Sequence, residues 1–116
     1  MEELAQMHCS QITGSTPKLV ESEIKTLSER LPTWKVFEKD GELRLEKMFK
    51  FVNFDLALAF ANRVGQAAER ENHHPALLTE WGRVTVTWWT HRIKGLHLND
   101  FIMAAQTDRI FEAAQK

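Results

Sequence analysis

A single cysteine, Cys9, stands among 116 residues, so no internal disulfide can close this chain, and no cysteine cluster exists to hold a metal. That usage fits a reducing compartment, with Cys9 expected as a free thiol in a loose tail. Long apolar runs are missing as well: each uninterrupted stretch is a few residues, against the roughly 20 that a bilayer-spanning helix needs. Residues 1–19 begin with Glu2 and Glu3 and contain no hydrophobic run, so they do not read as a secretory leader, and the expected location is cytoplasmic. Charge of one sign is not in excess either. Fifteen Lys and Arg against sixteen Asp and Glu leave a formal net charge of −1, and the basic residues are scattered, which gives no support to capture of nucleic acid through its phosphates. Internal repeats, low-complexity tracts and a glycine-rich phosphate loop are all absent.

Apolar residues make up 43% of the chain and charged residues 27%, the balance of a soluble protein able to bury one core. Residues 1–17 show no sustained period and include Gly14, Ser15 and Pro17; they are expected to form a flexible lead-in to a single domain over 18–116. Val20, Ile24, Leu27 and Leu31 then share one helical face, and Pro32 stops that helix. From 33 to 51 the pattern alternates around Asp40-Gly41, the signal for a tight hairpin turn with positive φ. A second helix over about 54–71 carries Leu56, Phe60, Val64 and Ala67 on one stripe, flanked by Phe54, Leu58, Ala61 and Ala68; this broad face is expected to lie across the sheet. Ala76 to Trp81 and Arg83 to His91 read as a second hairpin, with Val84, Val86 and Trp88 on one face and Thr85, Thr87, Trp89 and His91 on the other. Leu98, Asn99 and Asp100 open a last helix, where a short polar side chain can accept bonds from unpaired amide groups. The order helix-strand-strand-helix-strand-strand-helix predicts an α+β fold: a four-stranded antiparallel sheet with three helices packed on one face.

The chemistry concentrates between residues 69 and 100. His73, His74 and Pro75 are consecutive, and His91 follows at the expected end of a strand. Histidine is the side chain whose unperturbed pKa, about 6.5, lets it give or take a proton near neutrality. Glu69, Trp81 and Asp100 complete the cluster, whereas His97 is expected on the surface.

Glu69, His73-His74-Pro75, Trp81, His91 and Asp100 stand at the spacing of the signature of the pterin-4a-carbinolamine dehydratases, also called 4a-hydroxytetrahydrobiopterin dehydratases. The chain resembles that family over about residues 20–114, and Leu31-Pro32-Trp34, Phe54, Ala57, Phe60 and Gly95-Leu96 agree with it. The resemblance implies dehydration of 4a-hydroxytetrahydrobiopterin to quinonoid dihydropterin and water, which recycles the pterin of aromatic amino acid hydroxylases. It implies no cofactor, since the pterin is the substrate, and catalysis by His73, His74 and His91, with His74 the leading proton donor. The substrate is expected to touch Glu69, His73, His74, Pro75, Thr90, His91, Arg92 and Ile93. Asp100 and Glu69 would orient imidazoles, and Trp81 would pack beneath the pocket. Adjacent residues in extended backbone point in opposite directions, so His73 and His74 can flank one ligand only where the chain turns; Pro75 is the expected cause.

The resemblance also implies a homodimer or homotetramer and a functional association with phenylalanine hydroxylase. Two other classes compete. His73, His74, His91 and Asp100 are ordinary zinc donors, but adjacent histidines rarely aim at one metal and no His-Glu-x-x-His pair is present, so no metal is expected. The second class is a protein-interaction module, because vertebrate members of the family act as dimerisation cofactors of a transcription factor.

Overall fold

Asp40 and Gly41 adopt φ of 55° and 78°, the pair of left-handed conformations that a two-residue primed turn requires. They join β1 (Lys35–Lys39) to β2 (Glu42–Lys50), as the Asp-Gly signal predicts. The computed structural model describes residues 3–114; the ends of the expected segments 1–17 and 18–116 (1–2 and 115–116) lie outside the described residues. The remaining elements are α1 (Glu21–Ser28), α2 (Phe54–Glu71), β3 (Ala76–Glu80), β4 (Arg83–Trp88) and α3 (Leu98–Ala114), with 3-10 turns at Leu4–Gln6 and His91–Ile93. All strand pairs are antiparallel and the sheet order is β1-β2-β4-β3, so the fold is the expected α+β arrangement.

Register explains the core. Leu45 pairs with Trp88 and Phe49 with Val84, and these side chains, with Val86, are all at most 2% exposed. They meet Phe60 and Val64 of α2 and Phe101, Ile102 and Met103 of α3. Phe49 has ring centroids of Phe60 and Phe111 at 4.9 and 5.0 Å, in the tilted arrangements that aromatic pairs favour. Two indoles keep their N–H groups satisfied inside: Trp88 Nε1 donates to Thr107 Oγ1 at 3.2 Å, and Trp34 Nε1 to Asp108 Oδ2 at 3.1 Å.

Three expectations shift. The broad apolar face of α2 is only partly used: Phe60, Ala61, Val64, Ala67 and Ala68 are buried, while Phe54, Leu56 and Leu58 are between 41% and 47% exposed. A helix on a sheet presents a limited arc to it, and the flanks of a wide stripe stay outside. β4 stops at Trp88 instead of continuing to His91, because Thr90 and Gly95 form a bridge that folds the intervening residues into a 3-10 turn. The segment expected as a lead-in lies along α3: Leu4 is buried in the core cluster, and Gln106 Nε2 donates to the Met7 carbonyl at 3.3 Å. One buried leucine and scattered backbone bonds leave no periodic trace in a sequence.

Candidate active site

The placement of the two adjacent histidines begins with the cap of α2. Asn72 sits in the left-handed region (φ 51°), a conformation asparagine tolerates well at a helix C-terminus. The His73 N–H then reaches back to the Ala68 carbonyl at 3.1 Å, as in a Schellman ending. The chain therefore turns before His73, and the reversal expected from Pro75 is made by Asn72. Pro75 stands immediately ahead of β3.

His73 is buried at 7% exposure and lies nearly parallel to the Trp88 ring, with centroids 6.0 Å apart. Its Nε2 is 2.6 Å from Asp100 Oδ1. The other oxygen of Asp100 accepts from Thr90 Oγ1 at 2.8 Å and from the His97 backbone N–H at 2.9 Å. This wholly buried carboxylate thus serves three donors, which is the condition under which burying a charge is tolerable. Asp100 also completes a reciprocal cap on α3, since the Asn99 N–H donates to His97 Nδ1 at 3.0 Å while Asp100 accepts from the His97 N–H. Helix capping and histidine support, alternative roles when read from the sequence, fall to different oxygens of one side chain. His97 is half-buried rather than superficial; burial holds its imidazole below the ordinary value, with Asp100 opposing, and its accepting Nδ1 puts the ring proton on Nε2.

His74 and His91 are open to solvent. His74 Nε2 is hydrogen-bonded to Glu69, one helical turn back in α2. His91 sits on the turn pinched by Thr90 and Gly95, with Nδ1 at 3.1 Å from Glu42 Oε1. Glu42 is the buried first residue of β2, directly after the Asp40-Gly41 turn. Each of the three histidines has its own carboxylate.

These groups surround a cavity of about 650 Å³ lined by residues 9–12, 71–74 and 89–92, a volume within the range of small-molecule sites. Of the expected substrate contacts, His73, His74, Thr90, His91 and Arg92 line it. Glu69 reaches the cavity through His74, and Pro75 and Ile93 are not among the lining residues. Trp81 requires a correction. It is 70% exposed at the turn between β3 and β4 and lines no part of this cavity. Six residues of β4 separate it from the Trp89–Arg92 end, roughly 20 Å at about 3.3 Å per residue. Spacing in a signature counts residues, not distance.

Glu42, Glu71 and residues 10–12 shape the site without standing out in the sequence, where Asn99 reads only as a helix opener and Cys9 only as a loose thiol. Glu42 and Glu71 look like any solvated charge at the end of an element. Glu71 accepts from the Cys9 N–H at 2.7 Å and from the His8 ring at 2.8 Å, and these bonds hold its carboxyl below the usual range. Burial, then the charges of Glu71 and Asp100, push the Cys9 thiol up to about 12, so it is a protonated wall rather than a nucleophile. Among the described residues, no three His, Cys, Asp or Glu side chains converge as a cation site requires, and no helix is long and apolar enough to cross a membrane.

Known proteins resemble this chain over most of its length. Residues 17–110 match the family described as Pterin 4 alpha carbinolamine dehydratase. A provisionally named pterin-4-alpha-carbinolamine dehydratase of Microcystis aeruginosa is 54% identical over 111 residues, covering 96% of each chain. Among solved structures, a transcriptional coactivator/pterin dehydratase from Brucella melitensis superposes with a TM-score of 0.73 at 32% identity, over 81% of this chain and 98% of that one.

Proposed function

Because the chain belongs to the pterin-4a-carbinolamine dehydratase family, we propose that it dehydrates 4a-hydroxytetrahydrobiopterin to quinonoid dihydropterin and water by histidine acid–base catalysis, without a cofactor. The reaction restores the pterin used by aromatic amino acid hydroxylases. The observation that carries this reading is the set of three imidazoles, each backed by a separate carboxylate, around one cavity.

Carbon 4a bears both the hydroxyl and N5. Forming the C4a=N5 bond takes a proton from N5 and delivers one to the departing oxygen, so that water leaves instead of hydroxide. A positioned acid or base contributes about 10²–10⁴ in rate. His74 is the donor to the hydroxyl: with Nε2 bonded to Glu69, its Nδ1 is the nitrogen left to hand over a proton. His91, held at Nδ1 by Glu42, has Nε2 left to accept the N5 proton. His73, locked by Asp100 and stacked on Trp88, is a fixed substrate ligand at the cavity floor. Thr90 and Arg92 complete the expected contacts, and the protein works in the cytoplasm alongside phenylalanine hydroxylase.

The test is the rate of 4a-hydroxytetrahydropterin dehydration, followed by ultraviolet absorbance, for the wild type, His74→Ala and a chelator-treated sample. A chelator-resistant acceleration that drops by about 10²–10⁴ in His74→Ala is expected. No acceleration over buffer would sink the enzyme reading, and loss on chelation would revive a zinc mechanism.

A second reading, an interaction module, has one observation in its favour. Phe54 and Leu58 leave one flank of α2 exposed and apolar, and Leu56, near the 76% exposed Val52, does so on the other, the kind of surface that assembly covers. Self-association into two or four copies uses such a surface, and sedimentation of Leu58→Glu against the wild type measures it.

A further inference from the structure

The segment 9–12 lies outside the family match at 17–110, yet it forms one wall of the histidine cavity. Three elements hold it there. At the end of α2, Glu71 accepts from the Cys9 N–H. From α3, Asn99 Oδ1 accepts from the Ser10 N–H at 3.0 Å, while its Nδ2 donates to the Ser10 carbonyl at 2.8 Å. On the turn carrying His91, Arg92 Nη1 donates to the Ile12 carbonyl at 3.1 Å.

Asn99 is the most telling of these anchors. It is 1% exposed, and both ends of its carboxamide are spent on the backbone of Ser10. A buried amide is costly unless fully bonded, so this one is satisfied only while the strap is in place. Gln11, the next residue, differs from its neighbours. It is exposed and among the residues that line the cavity, and its side chain bonds to no other described residue.

A pterin carries a 2-amino-4-oxo pyrimidine ring whose N3–H donates and whose C4 carbonyl accepts, side by side. A primary carboxamide offers the complementary pair, Oε1 to accept and Nε2 to donate, in the plane that bidentate pairing needs. We propose that the strap 9–12 is a substrate-binding element in which Gln11 pairs with the N3–H and C4 carbonyl edge of the pterin, while Asn99, Glu71 and Arg92 act as positioning residues that hold the strap. This rests on the pterin reading of the cavity and adds a binding contact outside the family-matched residues. The proton transfers remain with the histidines, so the strap acts on binding and leaves the chemical step alone.

Two measurements test it. The first titrates 7,8-dihydrobiopterin, which cannot be dehydrated, into the wild type, Gln11→Leu and Asn99→Leu, followed by quenching of tryptophan fluorescence. Loss of one neutral paired contact is expected to weaken binding by about 3- to 10-fold in Gln11→Leu, with melting temperature unchanged because the residue is exposed. Asn99→Leu, which frees the strap, is expected to weaken binding at least as much; if that variant does not fold, Gln11→Leu decides alone. The second measures turnover, where KM rises by the same factor and kcat stays within about twofold. Equal affinity of Gln11→Leu and wild type overturns the proposal, as does a fall in kcat at constant KM. If the wild type binds the dihydropterin and Gln11→Leu binds it less but neither turns over the carbinolamine, the strap proposal stands and the dehydratase reading fails. If the wild type does not bind a pterin at all, both fall.

Discussion

His73 and His74 are neighbours in the chain with opposite surroundings. His73 is buried, stacked on Trp88 and bonded to a carboxylate that also serves Thr90 and His97. His74 is open, and its partner Glu69 is itself 77% exposed. One imidazole is built into the core and the other stands at the rim. The same pair of residue types therefore does two jobs. A buried, fully bonded pair fixes geometry and becomes part of the stability of the fold, while an exposed pair is screened by water and stays free to exchange protons.

The sharpest way to break that contrast is Asp100→Ala, which leaves His73 Nε2, Thr90 Oγ1 and the His97 N–H without their acceptor. A destabilisation of about 3 kcal/mol or more is expected in urea unfolding, since each buried donor left without its acceptor costs about 1–3 kcal/mol. A loss below about 1 kcal/mol would show that the floor is not one unit.

Acid should act next, through one group of the floor and one that holds the strap. The folded pKa of His97 is lowered by burial, so its contribution to stability is present above the ordinary histidine value and is lost as pH falls from there through the lower folded value. Glu71, lowered by its bond from the Cys9 N–H, contributes above the ordinary carboxylate value and loses that contribution at still lower pH. Both push the same way. The urea midpoint is expected to fall between about pH 7.5 and about pH 5.5, on either side of the ordinary histidine pKa, and His97→Asn should shrink that fall, since asparagine caps the helix without titrating. An identical fall in the variant would remove His97 from the account.

Glu69→Gln should have the smallest effect. Stability is expected to change by no more than about 1 kcal/mol, because both partners are exposed. Turnover should drop by about fivefold at most, the equivalent of losing that much orientation of His74. A drop as large as that of His74→Ala would mean that Glu69 shares the proton transfer itself.

The family and the element order were legible because they rest on local or repetitive signals. Asp40-Gly41 encodes its own turn through the φ values those residues tolerate, and Val84, Val86 and Trp88 reveal a buried strand face through alternation alone. The histidines stood out through their chemistry and adjacency. Glu42, Asn99 and Gln11 did not, because a polar residue shows nothing in sequence until the fold supplies its partner. Trp81 misled in the opposite sense, since its place in a signature suggested a pocket that a strand's length keeps away from it.

By itself, then, the sequence determined the α+β topology, the two hairpins and the histidines that mark the candidate site, all consequences of backbone preference, apolar period and side-chain chemistry within short windows. Tertiary structure alone decided which histidine is buried and which is open, which carboxylate serves each, and that the strap 9–12 closes the same cavity. Those are contacts across tens of residues: 27 between His73 and Asp100, 49 between His91 and Glu42, and 89 between Ser10 and Asn99. They form only when helices, sheet and lead-in have packed, because a hydrogen bond depends on a few tenths of an ångström that no local pattern specifies.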